Sequence, residues 1–354
     1  MDNPSFFTIN HRKTIREAFK HEVFTKEQFV IVVDDEDNVM GIVTDGDFRR
    51  AIWNAISLED AVGAITNKDY IWLTERYDVD NVVKIFSTTD VHQIPILRNE
   101  MLVDIIYKNN FKVPASEKSK RNINIPVVIM AGGSGTRLDP FTRILPKPLI
   151  PIGDKPVIEI LIERFAKYGS RCFYISLNYK SRIVKAFFED YVKEYNISFI
   201  DEEKPLGTAG SLKLLAGKIK TTFIVSNCDI LVQEDYNKIV EFHREGQYML
   251  TIVGSVQHHV VPYGVCKTDI GGGLVDFEEK PKYDFLVNTG MYVLDPGVLK
   301  YIPPGKEFDM TELIHDLVQK GKKIGVFPVS EKSWIDIGQW EQYKKAVEDL
   351  HSFF

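Results

Sequence analysis

The sequence predicts an α/β protein built from two domains, and three observations lead to this prediction. At 354 residues the chain is longer than most single domains. From about residue 125 onward, apolar strand patterns alternate with helical patterns, which is typical of a layered α/β fold. A polar, basic segment at residues 114–121 has the composition of an exposed linker. We therefore predict one domain over residues 1–115, a linker over residues 116–124 and a second domain over residues 125–354.

The composition narrows the classes of function. The formal net charge of -6 argues against nucleic acid or an anionic membrane as partner, so any site for a polyanion must be local. Cys172, Cys228 and Cys266 form no C-x-x-C pair, which indicates a reducing compartment without a disulfide or zinc framework. Neither a signal-peptide pattern nor an apolar run of membrane-spanning length is present, so we expect a cytoplasmic protein. The sequence leaves open whether the chain forms a homo-oligomer.

The N-terminal domain consists of two similar halves. In the first, residues 29–34 and 39–45 form a predicted hairpin around an acidic turn, and a helix follows with Thr44 or Asp45 as its N-cap. In the second, residues 91–97 and 101–107 form another hairpin. A helical pattern precedes each hairpin, at residues 14–24 and 79–88. Repeated units of this size predict an internal duplication.

This arrangement resembles a tandem pair of CBS motifs, regulatory modules that often bind adenine nucleotides. The run Gly41-Ile-Val-Thr44, together with Asp47, matches a stretch that contacts ribose in that family. A threonine hydroxyl and a carboxylate can both hydrogen-bond vicinal ribose hydroxyls. Residues 103–107 lack the corresponding glycine and threonine, so at most one adenine-nucleotide site is expected. The alternative is a structural or dimerising module, in which Thr44 and Asp47 simply cap the following helix.

The second domain begins with an apolar strand at residues 127–130 that runs into Gly132, Gly133 and Gly135. Such a loop can bring its backbone N–H groups close to an anion. Arg137 and Lys147 add positive charge nearby, one as a planar fork and one as a point charge. Together these features predict a cradle for a triphosphate.

Two common nucleotide-binding loops are excluded by the same residues. A P-loop ends in Gly-Lys-Ser/Thr, whereas Gly135 is followed by Thr136-Arg137. A dinucleotide fingerprint has the form Gly-x-Gly-x-x-Gly, and here Leu138 stands at its last glycine.

Alternating elements follow the loop. We predict a helix over residues 157–168, a strand over 172–177, a helix over 180–195 and a strand over 223–229 that ends in Asp229. Sites in open α/β sheets form at such carboxyl ends of strands. Because Mg²⁺ prefers carboxylate and phosphate oxygens, Asp229 is a candidate magnesium ligand, and Asp336 before Gly338 is a second one.

The combined motif from Gly132 to Leu138, with Pro146-Lys-Pro148, resembles the sugar-1-phosphate nucleotidylyltransferases. The resemblance implies a Rossmann-like, mixed-sheet nucleotidyltransferase fold of the GT-A-like kind, preceded here by the tandem CBS pair. It implies that Asp229 and Asp336 hold Mg²⁺, and that Arg137, Lys147 and Asp229 are catalytic. The residues implied to bind the nucleotide are Ala131, Gly132, Gly133, Ser134, Gly135, Thr136 and Gly207.

The same resemblance places the sugar phosphate at three further stretches, one of which, residues 205–210, resembles the loop between base and sugar. Glu279-Lys280-Pro281 matches a family motif whose carboxylate binds sugar hydroxyls and whose lysine binds the sugar's phosphate. Asn288, Thr289 and Gly290 match the strand that lines the hexose pocket. Cys228 stands where glycine more often precedes the metal-site aspartate, and we interpret it as a small buried residue.

The implied reaction is in-line attack by a sugar-1-phosphate oxygen on the α-phosphorus of a nucleoside triphosphate. Catalysis then depends on positioning and charge neutralisation rather than on a nucleophilic side chain. Nearly the whole chain resembles the fused CBS–nucleotidylyltransferases of bacterial legionaminic acid biosynthesis, which implies GTP and a hexosamine 1-phosphate, glucosamine 1-phosphate, as substrates. Mannose- or heptose-1-phosphate guanylyl transfer is the nearest alternative. A nucleotide-sensing regulatory protein with an inactive transferase domain is an alternative of a different class.

Overall fold

The computed structural model describes residues 4–89, 91–108, 123–189, 195–338 and 340–348. The chain divides into two compact units, Met1–Arg121 and Asn122–Phe354. Most of the linker predicted over residues 116–124 lies outside the described residues, so its conformation stays a prediction.

The first unit contains two copies of one motif. Its strands are β1 (Thr8–Asn10), β2 (Phe29–Val33), β3 (Val39–Thr44), β4 (Leu73–Thr74), β5 (Gln93–Arg98) and β6 (Met101–Tyr107). Its helices are α1 (Ile15–Lys20), α2 (Glu22–Glu27), α3 (Asp45–Trp53) and α4 (Val79–Thr88).

In each copy a short strand pairs in parallel with the first strand of a hairpin, and one or two helices connect them. Thus β1 pairs with β2 and β2 with β3, while β4 pairs with β5 and β5 with β6. Even the irregularity in the hairpin ladder recurs, between Val32 and Val33 and between Ile96 and Leu97. The duplication and both predicted hairpins are confirmed.

The second unit is a layered α/β structure. Its strands are β7 (Val127–Met130), β8 (Pro151–Ile152), β9 (Lys155–Pro156), β10 (Cys172–Leu177), β11 (Asn196–Asp201), β12 (Phe223–Asn227), β13 (Ile230–Val232), β14 (Leu250–Val260), β15 (Val265–Thr268), β16 (Leu274–Glu278), β17 (Lys282–Leu294), β18 (Ile324–Val329) and β19 (Trp334–Asp336). Its helices are α5 (Val157–Lys167), α6 (Ser181–Glu189), α7 (Gly207–Gly210), α8 (Tyr236–Glu245), α9 (Met310–Gln319) and α10 (Trp340–Glu348).

Seven strands form the central sheet in the order β11-β10-β7-β12-β17-β14-β18. All neighbouring pairs are parallel except those made by β17, which runs antiparallel to β12 and β14. This is the mixed sheet that the family resemblance implied, and the α/β fold class predicted from the alternating pattern is confirmed.

Apolar residues of the strands alternate between two cores, one on each face of the sheet. Val127 and Ile129 of β7 pack into the core that contains α5 and α8, whereas Val128 packs into the core that contains α9. Because side chains in a strand point alternately to opposite faces, this run of apolar residues is what a sheet covered by helices on both sides requires.

Single elements agree with their predictions except at three places. The helical pattern at residues 14–24 is divided between α1 and α2, and the strand predicted over residues 223–229 ends at Asn227. The helix predicted over residues 157–168 is α5, and the strand predicted over residues 172–177 is β10. The helix predicted over residues 180–195 begins at Ser181, and its described part ends at Glu189. Tyr195 is not helical, because the next strand begins at Asn196.

Within the described residues, no helix is long and apolar enough to cross a membrane.

Candidate functional site

The glycine loop begins where β7 ends, at the carboxyl edge of the parallel strands. Gly135 has φ 70°, and a Cβ built there would lie 2.7 Å from Thr142 Cγ2 and 3.1 Å from Lys147 Cβ. Only glycine satisfies both the left-handed backbone and this close approach. Around Gly133, in contrast, a Cβ would meet nothing within 4 Å. That glycine faces open space, where another molecule can come close to the backbone.

Two carboxylates are brought together by a short antiparallel ladder between β13 and β19. Ile230 lies opposite Asp336, and the N–H of Ile337 donates a hydrogen bond of 2.7 Å to the carbonyl of Asp229. A Cβ built on Gly338 would overlap Asp229 Oδ2 and lie 2.8 Å from Asp336 Oδ1. The two acidic side chains therefore converge on the space beside Gly338.

Two cations surround Asp229. Lys147 lies in a short 3-10 turn, is only 12% exposed, and forms an ion pair with Asp229 Oδ2. Arg137 Nη2 lies 3.7 Å from the same oxygen, and 61% of its side chain is exposed. The ammonium of Lys147 is thus held inside the site, while the guanidinium of Arg137 is open to solvent.

The glycine loop, Arg137, Lys147 and Asp229 line a cavity of about 390 Å³, whereas Asp336 is not among its described lining residues. The predicted residues that line it are Gly132, Gly133, Ser134, Gly135, Thr136, Arg137, Lys147, Gly207 and Asp229. Ala131 is buried behind the loop, where its N–H donates to the carbonyl of Ser176. Residues more than 70 positions apart in sequence thus meet at one cavity, as the position of the site at the carboxyl ends of strands predicts.

The residues predicted to bind the sugar phosphate are not among the described residues that line the cavity. Gly290 is nearest, because its built Cβ would lie 2.5 Å from Nδ2 of the cavity residue Asn227. The Thr289 hydroxyl is buried and donates to the carbonyl of Val253, while the Asn288 amide donates to the hydroxyl of Tyr292.

Glu279 and Lys280 lie between β16 and β17, and both side chains are more than 60% exposed. Their atoms Oε1 and Nζ are 4.0 Å apart, so they form at most a weak surface ion pair. A role for these two residues in binding the sugar phosphate stays a prediction.

The sequence analysis missed Glu202, a further carboxylate of the cavity. Glu202 follows β11 and lines the cavity. Its Oε1 accepts 2.5 Å from the Ser176 hydroxyl and its Oε2 accepts 3.0 Å from the N–H of Leu206. A Cβ built on Gly132 would lie 2.9 Å from Glu202 Oε1, so this carboxylate sits directly beside the glycine loop. The available signal was an acidic residue after the apolar run Ile197-Ser-Phe-Ile200, although the sequence analysis predicted no strand there.

The loop around Gly207 is held by the start of α9. Gly207 has φ 74°, and a Cβ there would lie 2.7 Å from the carbonyl oxygen of Phe308. Asp309 Oδ1 accepts from both the N–H and the hydroxyl of Thr208, at 2.9 and 3.1 Å. These hydrogen bonds hold the loop from its outer side, and Gly207 lines the cavity. Glu307, which also lines the cavity, is a second carboxylate that the sequence analysis missed.

The set of donors fits a magnesium ion. Within the parts of the chain that the structure describes, no group of three or more His, Cys, Asp and Glu residues could hold a metal. Two converging carboxylates are nevertheless what Mg²⁺ uses when substrate phosphates complete its ligands. Asp229 and Asp336 would hold it.

Cys228 directly precedes Asp229, lines the cavity with it and is 6% exposed. Burial, and then the neighbouring negative charge of Asp229, raise the pKa of its thiol to about 12. The thiol stays protonated near neutral pH, as expected of a small buried residue without chemistry of its own.

In the first unit, Thr44 and Asp47 form a capping box at the start of α3. Asp47 Oδ2 accepts from the N–H and the hydroxyl of Thr44, at 2.8 and 2.6 Å, and the N–H of Asp47 donates back to Thr44 Oγ1. Asp47 also pairs with Arg50. Helix capping thus accounts for both residues without a ligand, while a carboxylate and a hydroxyl retain further acceptor sites.

A mixed α/β sheet with a glycine loop, two cations and paired carboxylates at the carboxyl ends of its strands defines a nucleotide-binding, phosphate-handling class of protein. Residues 126–352 match the family model described as Nucleotidyl transferase, and residues 2–54 match that of the CBS domain. The chain belongs to the nucleotidyl transferase family and carries a CBS domain in its N-terminal part.

Curated relatives agree with this assignment. A UTP–glucose-1-phosphate uridylyltransferase from Synechocystis sp. is 34% identical over 64% of this chain and 63% of the relative. A mannose-1-phosphate guanyltransferase from Saccharomyces cerevisiae is 36% identical over 60% of this chain and 61% of the relative. The chain thus spans a little over three fifths of the length of these relatives.

Among solved structures, HddC from Yersinia pseudotuberculosis, complexed with GMP-PN, is 31% identical with a TM-score of 0.51. The match covers 64% of this chain and 99% of HddC.

Proposed function

We propose that residues 125–354 catalyse magnesium-dependent transfer of a nucleotidyl group from a nucleoside triphosphate to a sugar 1-phosphate. An oxygen of the sugar phosphate forms a bond to the α-phosphorus, the bond from that phosphorus to the β-phosphate oxygen breaks, and pyrophosphate leaves. The observation that carries this proposal is the convergence of Asp229, Asp336, Lys147 and Arg137 beside a glycine loop.

Residues of this chain can bind the triphosphate and neutralise the charge of the two substrates. The loop backbone around Gly133 can approach a triphosphate closely, since nothing lies within 4 Å of a Cβ there. Lys147 and Arg137 provide positive charge where two phosphate-bearing substrates must meet. Mg²⁺, when bound, would neutralise further phosphate charge. An incoming phosphate oxygen is already anionic, so no side chain has to remove a proton from it.

We further propose that the nucleotide is GTP, and Glu202 supports this choice. Its carboxylate is fixed by Ser176 and Leu206 and lines the same cavity as the glycine loop. A carboxylate only accepts hydrogen bonds. Guanine presents two adjacent donors, N1–H and the N2 amino group, whereas uracil and thymine present one N–H between two carbonyls. Relatives named as guanyltransferases, and HddC solved with GMP-PN, are in line with this proposal.

For the acceptor we propose a hexosamine 1-phosphate, specifically glucosamine 1-phosphate, so that the product is GDP-glucosamine for surface glycan synthesis of the legionaminic acid type. Support comes from the resemblance of the fused CBS and transferase parts to proteins of that biosynthesis. The names of several relatives favour mannose 1-phosphate, and heptose 1-phosphate is a further alternative to be tested. Uridylyl transfer to glucose 1-phosphate is the activity named for another relative.

The test measures pyrophosphate release with Mg²⁺ over a grid of four nucleoside triphosphates and five acceptors. The acceptors are glucosamine, N-acetylglucosamine, glucose, mannose and heptose 1-phosphates, and Asp229→Asn serves as the matched inactive control. Turnover confined to GTP with glucosamine 1-phosphate is the expected result. Turnover with another pair would retain the chemistry and overturn the specificity. Folded protein without turnover in any combination would favour the regulatory alternative.

For the first unit we propose an adenine nucleotide bound at Thr44 and Asp47, which would tune the transferase. Its support is the ribose-compatible pair of a hydroxyl and a carboxylate at the start of α3. AMP is a suitable probe because it lacks the triphosphate of the substrate. Calorimetry on the full chain should detect AMP binding that Thr44→Val weakens. An absence of heat at millimolar AMP, together with unchanged pyrophosphate release, would contradict the proposal.

A further inference from the structure

Lys180 makes an unusual set of hydrogen bonds to residues 142–144, which we call the catalytic loop together with their neighbours between Arg137 and Lys147. Its ammonium donates to three consecutive backbone carbonyls, those of Thr142 at 3.1 Å, Arg143 at 2.5 Å and Ile144 at 3.0 Å. A lysine ammonium has three N–H donors. All of them are used on this one segment of chain.

The segment held in this way connects the two cations of the active site. It lies between Arg137 and Lys147, and it contains only short 3-10 turns rather than a regular helix. Thr142 is 4% exposed, and its hydroxyl donates to the carbonyl of Gly135 at 3.0 Å. Lys180 is therefore linked to the glycine loop through a single intervening residue.

The residue directly before these three carbonyls, Phe141, is also held in place. The ring of Phe141 stacks on Trp340 with 5.2 Å between ring centroids, and Trp340 stacks on Tyr343 at 5.6 Å. The hydroxyl of Tyr343 donates 2.7 Å to the carbonyl of Pro151. Aromatic stacking thus anchors one side chain of the segment, whereas Lys180 anchors its backbone carbonyls.

A lysine is not the residue that local structure favours at position 180. Its φ is 51°, in the left-handed region that glycine and asparagine adopt most readily. It also directly precedes α6, where the helix dipole disfavours a positive charge. A residue with an unfavourable backbone conformation and an unfavourable charge is expected where a specific contact compensates for their energetic cost. Here that contact is with the carbonyls of residues 142–144.

We propose that Lys180 is a positioning residue that fixes the backbone of residues 141–146 and thereby the placement of Arg137 and Lys147. It is not among the described residues that line the cavity, so it acts through the loop rather than on substrate. The activity readouts of this proposal rest on the proposed function, but its structural readout does not.

The experiment compares three variants of the full chain. Lys180→Met keeps the length of the side chain and removes all three donors. Lys180→Gly suits the left-handed backbone, so it retains the fold even if Lys180→Met does not. Lys185→Met is the matched control, because Lys185 lies on α6, pairs with Asp201, and its loss removes the same charge without touching the loop.

Hydrogen–deuterium exchange of the substrate-free proteins is measured first. Both Lys180 variants should speed amide exchange in residues 135–147 by about tenfold or more relative to wild type, while Lys185→Met should not. Exchange rates unchanged from wild type in the folded Lys180 variants would overturn the proposal, whatever the outcome of the activity grid.

Steady-state kinetics then separate positioning from general charge. In the Lys180 variants KM for the nucleoside triphosphate should rise and kcat should fall, giving about a hundredfold loss in kcat/KM. Lys185→Met should stay within about twofold. Equal losses in Lys185→Met and Lys180→Met would show a net-charge effect and refute positioning. Absence of turnover in wild type would instead refute the proposed function and leave the exchange result to decide on Lys180.

Discussion

Replacing Gly338 with alanine is expected to remove most transferase activity without unfolding the protein. A Cβ at this position would overlap Asp229 Oδ2, and would lie 2.8 Å from Asp336 Oδ1 and 3.0 Å from Lys147 Nζ. The backbone of Gly338 is outside the left-handed region, so alanine is compatible with the chain. The damage should therefore come from the crowded carboxylates rather than from backbone strain.

The size of the effect follows from how far the oxygens must move. Ordinary van der Waals contact with a Cβ begins at 3.4 Å. The Asp336 oxygen must therefore retreat by about 0.6 Å, and the Asp229 oxygen must retreat further. Displacing catalytic groups by about 1 Å can cost about a hundredfold in rate, which corresponds to about 2.7 kcal/mol of transition-state stabilisation.

The assay is kcat/KM for pyrophosphate release, together with the thermal unfolding temperature of each variant. Gly46→Ala is the control, since a Cβ there would meet its nearest neighbours, Arg50 Nη1 and Thr44 Oγ1, at an ordinary 3.6 Å. We expect Gly338→Ala to lose about a hundredfold in kcat/KM and Gly46→Ala to lose less than twofold. If Gly338→Ala retains activity within about threefold of wild type, catalysis does not depend on the positions of the Asp229 and Asp336 carboxylates beside Gly338.

Three other predictions test separate parts of the molecule. Glu202→Gln should lower kcat/KM with GTP by about tenfold and reduce the preference for GTP over UTP, because the amide has one acceptor fewer. An equal loss in Glu307→Gln, a further carboxylate of the cavity, would contradict base recognition. Burial lowers the pKa of His243 from 6.5 to about 4. As the pH falls, His243 therefore takes up a proton in the unfolded chain at a higher pH than in the folded protein. Unfolding free energy should therefore decrease by up to about 3 kcal/mol between pH 6.5 and pH 4, and His243→Gln should flatten this part of the urea-derived stability profile; an unchanged profile would show that other groups dominate. Finally, iodoacetamide should alkylate the exposed Cys266 long before Cys228, whose thiol pKa is raised by burial, as mass spectrometry of the folded protein can measure; equal rates would show that the core around Cys228 opens readily.

The fold was predictable because its signals are local. The strand at residues 127–130 is a run of apolar residues, and such a run indicates a strand covered on both faces. The helix α5 shows an apolar stripe and ends just before Gly169. The duplicated hairpins of the first unit repeat at a recognisable interval, and their register in the structure follows the same pattern twice.

Parts of the candidate site were also visible in the sequence. Gly135 occupies a position with φ 70° beside Lys147, which explains why a glycine stands there. Asp229 lies two residues after the buried strand β12, and such strand ends lie together at one edge of a parallel sheet. For these residues the order of the elements was enough to indicate a common location.

Glu202 and Lys180 could not be assigned from the sequence, because their roles depend on contacts between distant segments. Lys180 donates hydrogen bonds to carbonyls 36 to 38 positions earlier in the chain, and the residues next to it in sequence do not indicate these contacts. Glu202 follows β11, and only the parallel pairing of β11 with β10 brings it to the hydroxyl of Ser176. A carboxylate at the end of a strand is common and indicates no particular role, whereas one fixed beside a glycine loop indicates a binding site.

The sequence by itself determined the two-part architecture, the α/β class and the glycine loop, since each depends on periodicity or on residues close together in the chain, while the mixed sheet was implied by the family resemblance. Only the tertiary structure decided that Asp229 and Asp336 converge at Gly338, that Lys147 rather than Arg137 is buried against Asp229, and that Lys180 holds the loop between them. These facts depend on contacts between segments 36 to more than 100 residues apart, such as the pairing of β13 with β19, and no local pattern encodes such contacts.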